Sequence, residues 1–432
     1  MDTFKMLESS VRSYCRSFPT VFNKAEGACL TDEGGRRYID FLSGAGSLNY
    51  GHNNPALRDR LISYLQAGGP VHGLDMSTTA KRDFLEVFRD NILFPREMEY
   101  KVQFPGPTGT NAVEAAFKLA RKVTGRTNII SFTNGFHGVT LGSVAATGNS
   151  FYRDGAAAPL SNTSFMPYDG FLGAEADTIE YLRKFLQDSS SGVDLPAAVI
   201  VETVQGEGGV NVARMEWLEA LERVCREFEV LLILDDIQVG CGRTGPFFSF
   251  EEAGITPDIV VLSKSLSGFG LPFSVVLMKP HLDQWKPGEH NGTFRGNNLA
   301  FVTAAETLRR YWGTPEDLTP EVLWKGEMLE AGMERIVQAH PDVGLVSRGR
   351  GMIWALDCRL SELASKVSRR AFERGLIIET CGSEGQVAKA LPSLLIEPEA
   401  LEEGLTILAG SVEEVLERDP ALRRAALAEA RA

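Results

Sequence analysis

Cysteine is sparse in this chain: Cys15, Cys29, Cys225, Cys241, Cys358 and Cys381 are scattered through 432 residues, with no Cys-x-x-Cys pair. That pattern indicates neither a disulfide framework nor a zinc or other metal site, and it suits a reducing cytoplasm. Positive charge is short as well. With 44 basic against 57 acidic residues, the formal net charge of -13 offers no broad footprint for nucleic acid or an anionic membrane. No stretch approaches the roughly 18 uncharged apolar residues of a membrane span. Met1 to Ser10 mixes acidic and polar residues where a signal peptide needs a basic start and an apolar core. Internal repeats and low-complexity linkers are missing too. These absences leave a soluble, cytoplasmic protein whose partners are small molecules and its own copies.

What is present is an ordinary globular composition, 44% hydrophobic and 23% charged, in a chain long enough for a large core and a second lobe. From about Tyr100, short apolar runs alternate with helical patterns. The runs are Ile129 to Phe132, Ala197 to Val201, Val230 to Leu234, Ile259 to Leu262 and Val275 to Met278; between them, Ala112 to Val123 and Trp217 to Phe228 carry apolar residues at helical spacing. Such alternation predicts a mostly parallel sheet covered by helices. Before it, Ala28 to Leu42 reads as strand, turn and strand. After it, Gly351 to Asp357 and Leu376 to Glu379 read as strands, and Ala364 to Arg374, Pro398 to Leu416 and the tail Pro420 to Ala432 as helices. The change of pattern near residue 325 predicts a smaller α+β lobe.

Lys264 follows the β-branched run Asp258 to Leu262 and precedes a loop of small residues. A lysine is seldom buried without a partner, and a desolvated amine loses its proton readily and attacks carbonyl carbon. A strand-end lysine snorkelling to solvent explains the same position. Asp235 and Asp236 end another buried run, and Lys264 lies 29 residues beyond Asp235, about one strand-helix-strand excursion. Acid and amine would then flank one planar ligand at the carboxyl edge of the sheet. Pyridoxal phosphate suits such a pair, the lysine taking its aldehyde and the aspartate keeping its ring nitrogen protonated; an ordinary ion pair accounts for the same residues. Thr108 to Asn111 precedes the Ala112 helix and offers hydroxyls and amides to a phosphate, or simply a helix cap. Phe136 and His137 project from a loop after the Ile129 run, where an aromatic face can stack on a pyridine ring or merely pack. Gly44-Ala-Gly-Ser-Leu-Asn49 lacks the third glycine of a dinucleotide fingerprint.

Taken together, Thr108 to Ala116, Phe136-His-Gly138, Val201 to Gly209, Asp235 to Gly245, Ser263-Lys-Ser265 and Gly292 to Asn297 resemble the motifs of the class III aminotransferases, pyridoxal-phosphate enzymes of fold type I. The resemblance covers nearly the whole chain. It implies an α/β fold: a large cofactor-binding domain over residues 66–325 with a mostly parallel central sheet, and a smaller α+β domain formed by residues 1–65 and 326–432. It implies that Lys264 carries the cofactor and the catalysis and that Asp235 pairs with the ring nitrogen. Gln238 would bond the phenolic oxygen, Gly109 and Thr110 the phosphate, and Phe136 would stack on the ring; His137 and Glu202 also belong to the cofactor set. Thr293 would reach the phosphate of a neighbouring subunit, so a homodimer is the smallest competent unit.

Two positions depart from the family pattern, Asp236 where glutamate is usual and Thr203 where proline is usual. The segments Val11 to Pro19, Leu48 to Asn53, Val102 to Thr110, Phe247 to Gly254 and Gly288 to Gly296 are similar to the branch that aminates L-aspartate 4-semialdehyde from L-glutamate, giving L-2,4-diaminobutyrate and 2-oxoglutarate for ectoine. The same product feeds siderophores and peptide antibiotics, and an ornithine or 4-aminobutyrate activity would share every cofactor residue. For the substrates, the resemblance implies that Lys389 stands where many members place a carboxylate-binding arginine. Glu207 would pair with Lys389 when the aldehyde is bound, and Arg295 is a second candidate anion contact. A lysine selects a carboxylate less sharply than a bidentate arginine.

Overall fold

The computed structural model describes residues 2–313 and 317–431; Met1, and Ala432 at the end of the tail expected to be helical, lie outside them. The described chain forms two compact units, residues 55–320 and residues 1–54 with 321–432. The helix Pro55–Gln66 therefore belongs to the larger unit.

In the larger unit a seven-stranded sheet runs in the order Lys101–Gln103, Val275–Met278, Ile259–Leu262, Leu231–Asp235, Ala198–Val201, Ile129–Phe132, Thr163–Met166. Only Val275–Met278 is reversed, antiparallel to both its neighbours. The runs Ala-Val-Ile-Val and Ile-Val-Val-Leu are buried at every residue, as strands covered on both faces must be. The helix Gly109–Thr124 packs one such face with Ala112, Val113, Ala116, Phe117 and Ala120. Its start is fixed by Asn111 Oδ1, which accepts from the Thr108 amide and hydroxyl, and its end by Gly125, whose φ of +69° a side chain would strain.

In the smaller unit two four-stranded sheets form. Phe22–Glu26, Cys29–Asp32 and Arg37–Asp40 make a meander extended by Leu376–Ile377; Val346–Arg350, Ile353–Asp357, Val387–Ala390 and Glu379–Cys381 make the other, antiparallel throughout. Phe18, Tyr38, Phe372 and Ile377 form a core cluster there, Tyr38 stacking on Phe372 at 4.8 Å. The Pro398–Arg418 and Pro420–Arg431 helices close the chain. Among the described residues no helix is long and apolar enough to cross a membrane.

Candidate active site

Four adjacent parallel strands end at one edge of the larger sheet, and each carries chemistry at its last residue or just beyond it. Phe132 leads to Phe136 and His137, Val201 to Glu202, Leu234 to Asp235, and Leu262 to Lys264. The carboxyl edge of an open α/β sheet is where strand ends leave a crevice. A cavity of about 340 Å³ lies there, lined by Gly109, Thr110, Phe136, His137, Glu202, Glu207, Asp235, Gln238 and Lys264, with Thr108, Gly138, Val139 and Ile237 completing its wall. Nine residues proposed from sequence thus share one cavity, whereas Val139 and Ile237 were not singled out.

Lys264 opens a short 3-10 turn, Lys264–Ser267, with φ at +47°. A non-glycine residue held there costs on the order of 1–3 kcal/mol, and such strain collects at functional sites. The surroundings that hold it include Ser263 Oγ, which donates to Phe273 O at 2.7 Å, and Gly268, where a Cβ would clash with Thr307.

Asp235 is 4% exposed and its Oδ2 accepts from His137 Nδ1 at 2.7 Å; the His137 ring is buried as well. Asp235 Oδ1 accepts from the Ile237 amide at 3.2 Å. Glu202 is also buried, and its Oε2 accepts from the Phe136 amide at 2.9 Å. Burial first, and the nearby Asp235 charge second, hold the Glu202 carboxyl well above its ordinary range. Crowding of carboxyls around one amine thus leaves Glu202 reluctant to ionise. Glu207 Oε1 accepts from Gln238 Nε2 at 3.0 Å.

The two departures from the family pattern prove to be one network. Thr203 Oγ1 donates to Ser249 Oγ at 2.6 Å, and Ser249 donates from its hydroxyl and its amide to Asp236. A threonine in place of proline supplies the hydroxyl, and Ser249 reaches the shorter aspartate.

Thr293 and Arg295 are not brought into this cavity. Thr293 is exposed, and Arg295 lines a separate cleft of about 430 Å³ with Lys81, Trp285 and His290, pairing with Asp75 at 3.4 Å. Lys389 belongs to the smaller unit, fully buried on Val387–Ala390 and directly opposite Glu379 on the neighbouring strand. Its Nζ lies 3.2 Å from Glu379 Oε1, a charge contact off the line of a hydrogen bond. Sequence reading missed Glu379, because the strand carrying Lys389 was not recognised and the cross-strand register was unknown. It also passed over Glu114, although that residue stands inside the Thr108 to Ala116 motif.

Over residues 11–412 the chain matches the family described as aminotransferase class-III. It is 58% identical over 420 residues to the diaminobutyrate--2-oxoglutarate transaminase of Bordetella parapertussis, covering 97% of this chain and 96% of that one. The protein of the same name from Streptomyces avermitilis is 56% identical over 414 residues, covering 96% and 98%. Among solved structures, the ornithine aminotransferase of Toxoplasma gondii is similar with a TM-score of 0.84 at 27% identity, covering 96% of this chain and 95% of that one.

Proposed function

This chain belongs to the class III aminotransferases, and from that premise we propose that it transfers the amino group of L-glutamate to the terminal carbon of L-aspartate 4-semialdehyde, giving L-2,4-diaminobutyrate and 2-oxoglutarate. The observation that carries the reading is the 55–58% identity, over almost the whole chain, to relatives named for that activity. Its cofactor is pyridoxal 5′-phosphate. The residues present fit that group. Backbone closes on the cavity where glycine permits it: a Cβ at Gly109 would lie 2.9 Å from Ile237 Cδ1, and one at Gly206 would lie 1.8 Å from Gln238 Oε1. Gly109 and Thr110 line the cavity at the start of the helix Gly109–Thr124, where first-turn amides have no intrahelical acceptor and are able to bind a phosphate.

When bound, the cofactor supplies an electron-withdrawing ring that stabilises negative charge on the substrate carbon. The chain's own residues do the rest. Lys264 Nζ would hold the cofactor's aldehyde and would act as general base and acid for the proton at the substrate carbon. Asp235 keeps the ring nitrogen protonated, and His137 fixes the carboxylate's orientation from behind. Gln238 serves the phenolic oxygen, and Phe136 makes one wall for the ring. Glu202 lies beside Asp235 without adding a second full charge. Lys389 receives the second carboxylate of glutamate, and Glu207 lowers the site's positive charge when the small aldehyde enters. In Glu207→Ala the ratio of specificity constants for glutamate and the semialdehyde should change; an unchanged ratio counts against that role.

Thr293, exposed beside Phe294, which is 68% exposed, acts in the cofactor site of a second subunit, which makes a homodimer the working unit. The product enters ectoine synthesis; genes for an acetyltransferase and a cyclising synthase beside this one would support that placement. The decisive experiment incubates the enzyme with glutamate and aspartate semialdehyde and follows diaminobutyrate by mass spectrometry. Ornithine and 4-aminobutyrate are tested in parallel as donors. Preference for either of them, with no diaminobutyrate formed, would overturn the assignment.

A further inference from the structure

We propose that Glu114 is a positioning residue for the cofactor's phosphate, clamping two walls of the cavity together and turning the Thr110 hydroxyl away from the phosphate. The inference rests on the reading of Gly109 and Thr110 as the phosphate seat. Glu114 lies one helical turn beyond Thr110, so the two share a face. Its Oε1 accepts from Thr140 Oγ1 at 2.6 Å, from the Gly142 amide at 2.9 Å and from the Ser143 amide at 3.2 Å. The short helix Leu141–Ala145 has Thr140 at its N-cap, yet that side chain does not cap it. Glu114 does so from another helix. A Cβ at Gly142 would lie 2.2 Å from Glu114 Oε2, so the carboxylate is pressed against backbone that only glycine offers.

The loop held this way runs on from Phe136 and His137. It also leans on the seat itself: a Cβ at Gly138 would lie 2.5 Å from Thr110 Oγ1. Thr110 Oγ1 is 2.6 Å from Thr140 Oγ1 and 2.9 Å from Ser143 Oγ. Each hydroxyl has a single proton. Thr140 spends its proton on the carboxylate, the stronger, charge-assisted bond. Its oxygen is then an acceptor, and the Thr110 proton goes to Thr140 or Ser143. Thr108 Oγ1 is committed likewise, donating to Asn111 Oδ1 at 2.8 Å. The phosphate is therefore held by amides at the start of the helix, and Glu114 decides that outcome without touching cofactor or substrate.

The test titrates apoenzyme with pyridoxal 5′-phosphate and, separately, with pyridoxal, which lacks the phosphate. In Glu114→Ala the dissociation constant for the phosphorylated form should rise by about tenfold or more, the effect of losing one charged acceptor shared by three donors. Affinity for pyridoxal should stay within about twofold, as should the KM for glutamate in enzyme saturated with cofactor. Glu114→Gln keeps the accepting oxygen and should restore affinity to within about threefold of wild type. Should Glu114→Ala fail to fold, Thr140→Val reads the same ratio and is expected to lose about threefold for the phosphorylated form alone. An unchanged ratio, or equal losses for both ligands, overturns the inference. Wild-type enzyme that takes up no pyridoxal 5′-phosphate would instead overturn the reading of the site itself.

Discussion

The larger unit buries Asp235 against His137 at 2.7 Å, and the smaller unit buries Lys389 against Glu379 at 3.2 Å. Both contacts remove charge from water, and each carries the desolvation penalty that such pairs must offset. Their surroundings differ. Asp235 stands at a strand end beside a cavity, with its second oxygen tied to the Ile237 amide. Glu379 and Lys389 face each other across an antiparallel register, as directly opposed residues of neighbouring strands do. Burial of a charge is common to both. What distinguishes the Asp235–His137 pair is its place at the carboxyl edge of a parallel sheet with open volume beside it.

That contrast is broken most severely at the amine. Lys264→Ala removes nucleophile and proton carrier together and should lower kcat by about 10⁴-fold or more, with the fold and the melting temperature retained. Turnover within tenfold of wild type, followed by 2-oxoglutarate release, would remove Lys264 from the mechanism. Next comes the acid. Asp235→Asn removes the charge that would keep the ring nitrogen protonated and should cost about 10²–10³-fold in kcat, the scale of losing one electrostatic contact to the reacting group. Asparagine keeps the side chain's shape and an accepting oxygen for His137, so stability should fall far less than activity; a large loss of stability with intact kcat would make the pair structural.

How far the sequence exposed these two pairs differs in the same way. Asp235 ends the apolar run Leu231 to Leu234, and Lys264 lies two residues past the buried, β-branched run Ile259 to Leu262, so strand, edge and direction could be read from composition. Phe136, Gly109 and Thr110 followed because each sits where a strand or helix boundary is marked by small or capping residues. His137 against Asp235 could not be read, since 98 residues separate them and only strand order brings them together. The Val387–Ala390 strand is four residues of Val-Ala-Lys-Ala, too short and too poor in β-branched residues to announce itself, although all four are buried. Glu379 was lost with it. Long-range pairing, rather than local pattern, separates what was legible from what was not.

Lys389 tests whether the smaller unit's pair is merely structural. Lys389→Met should raise the KM for glutamate by about tenfold, leave the semialdehyde nearly untouched, and destabilise the fold by roughly 3–5 kcal/mol because Glu379 is left buried without its cation. Glu379→Leu combined with Lys389→Met should recover most of that stability, measured by urea midpoint, while the glutamate KM stays high. Recovery of both would show that Lys389 serves the sheet alone and would extend the contrast between the units to function.

The smallest expected effect concerns Glu202, which shares the cavity with Asp235 yet behaves differently. Burial, and then the Asp235 charge, raise its carboxyl above the ordinary value. The unfolded chain gives up this proton at the ordinary carboxylate value, while the folded protein keeps it to higher pH. Between those points the native state binds more protons than the unfolded one, so stability falls as pH rises. Glu202→Gln, which imitates the protonated form, should remove that decline. Urea midpoints of both proteins from about pH 5 to about pH 8 should start together and separate upward, the variant becoming the more stable. Curves that run parallel would mean that Glu202 ionises normally, and the cavity would then hold its full complement of negative charge around Lys264.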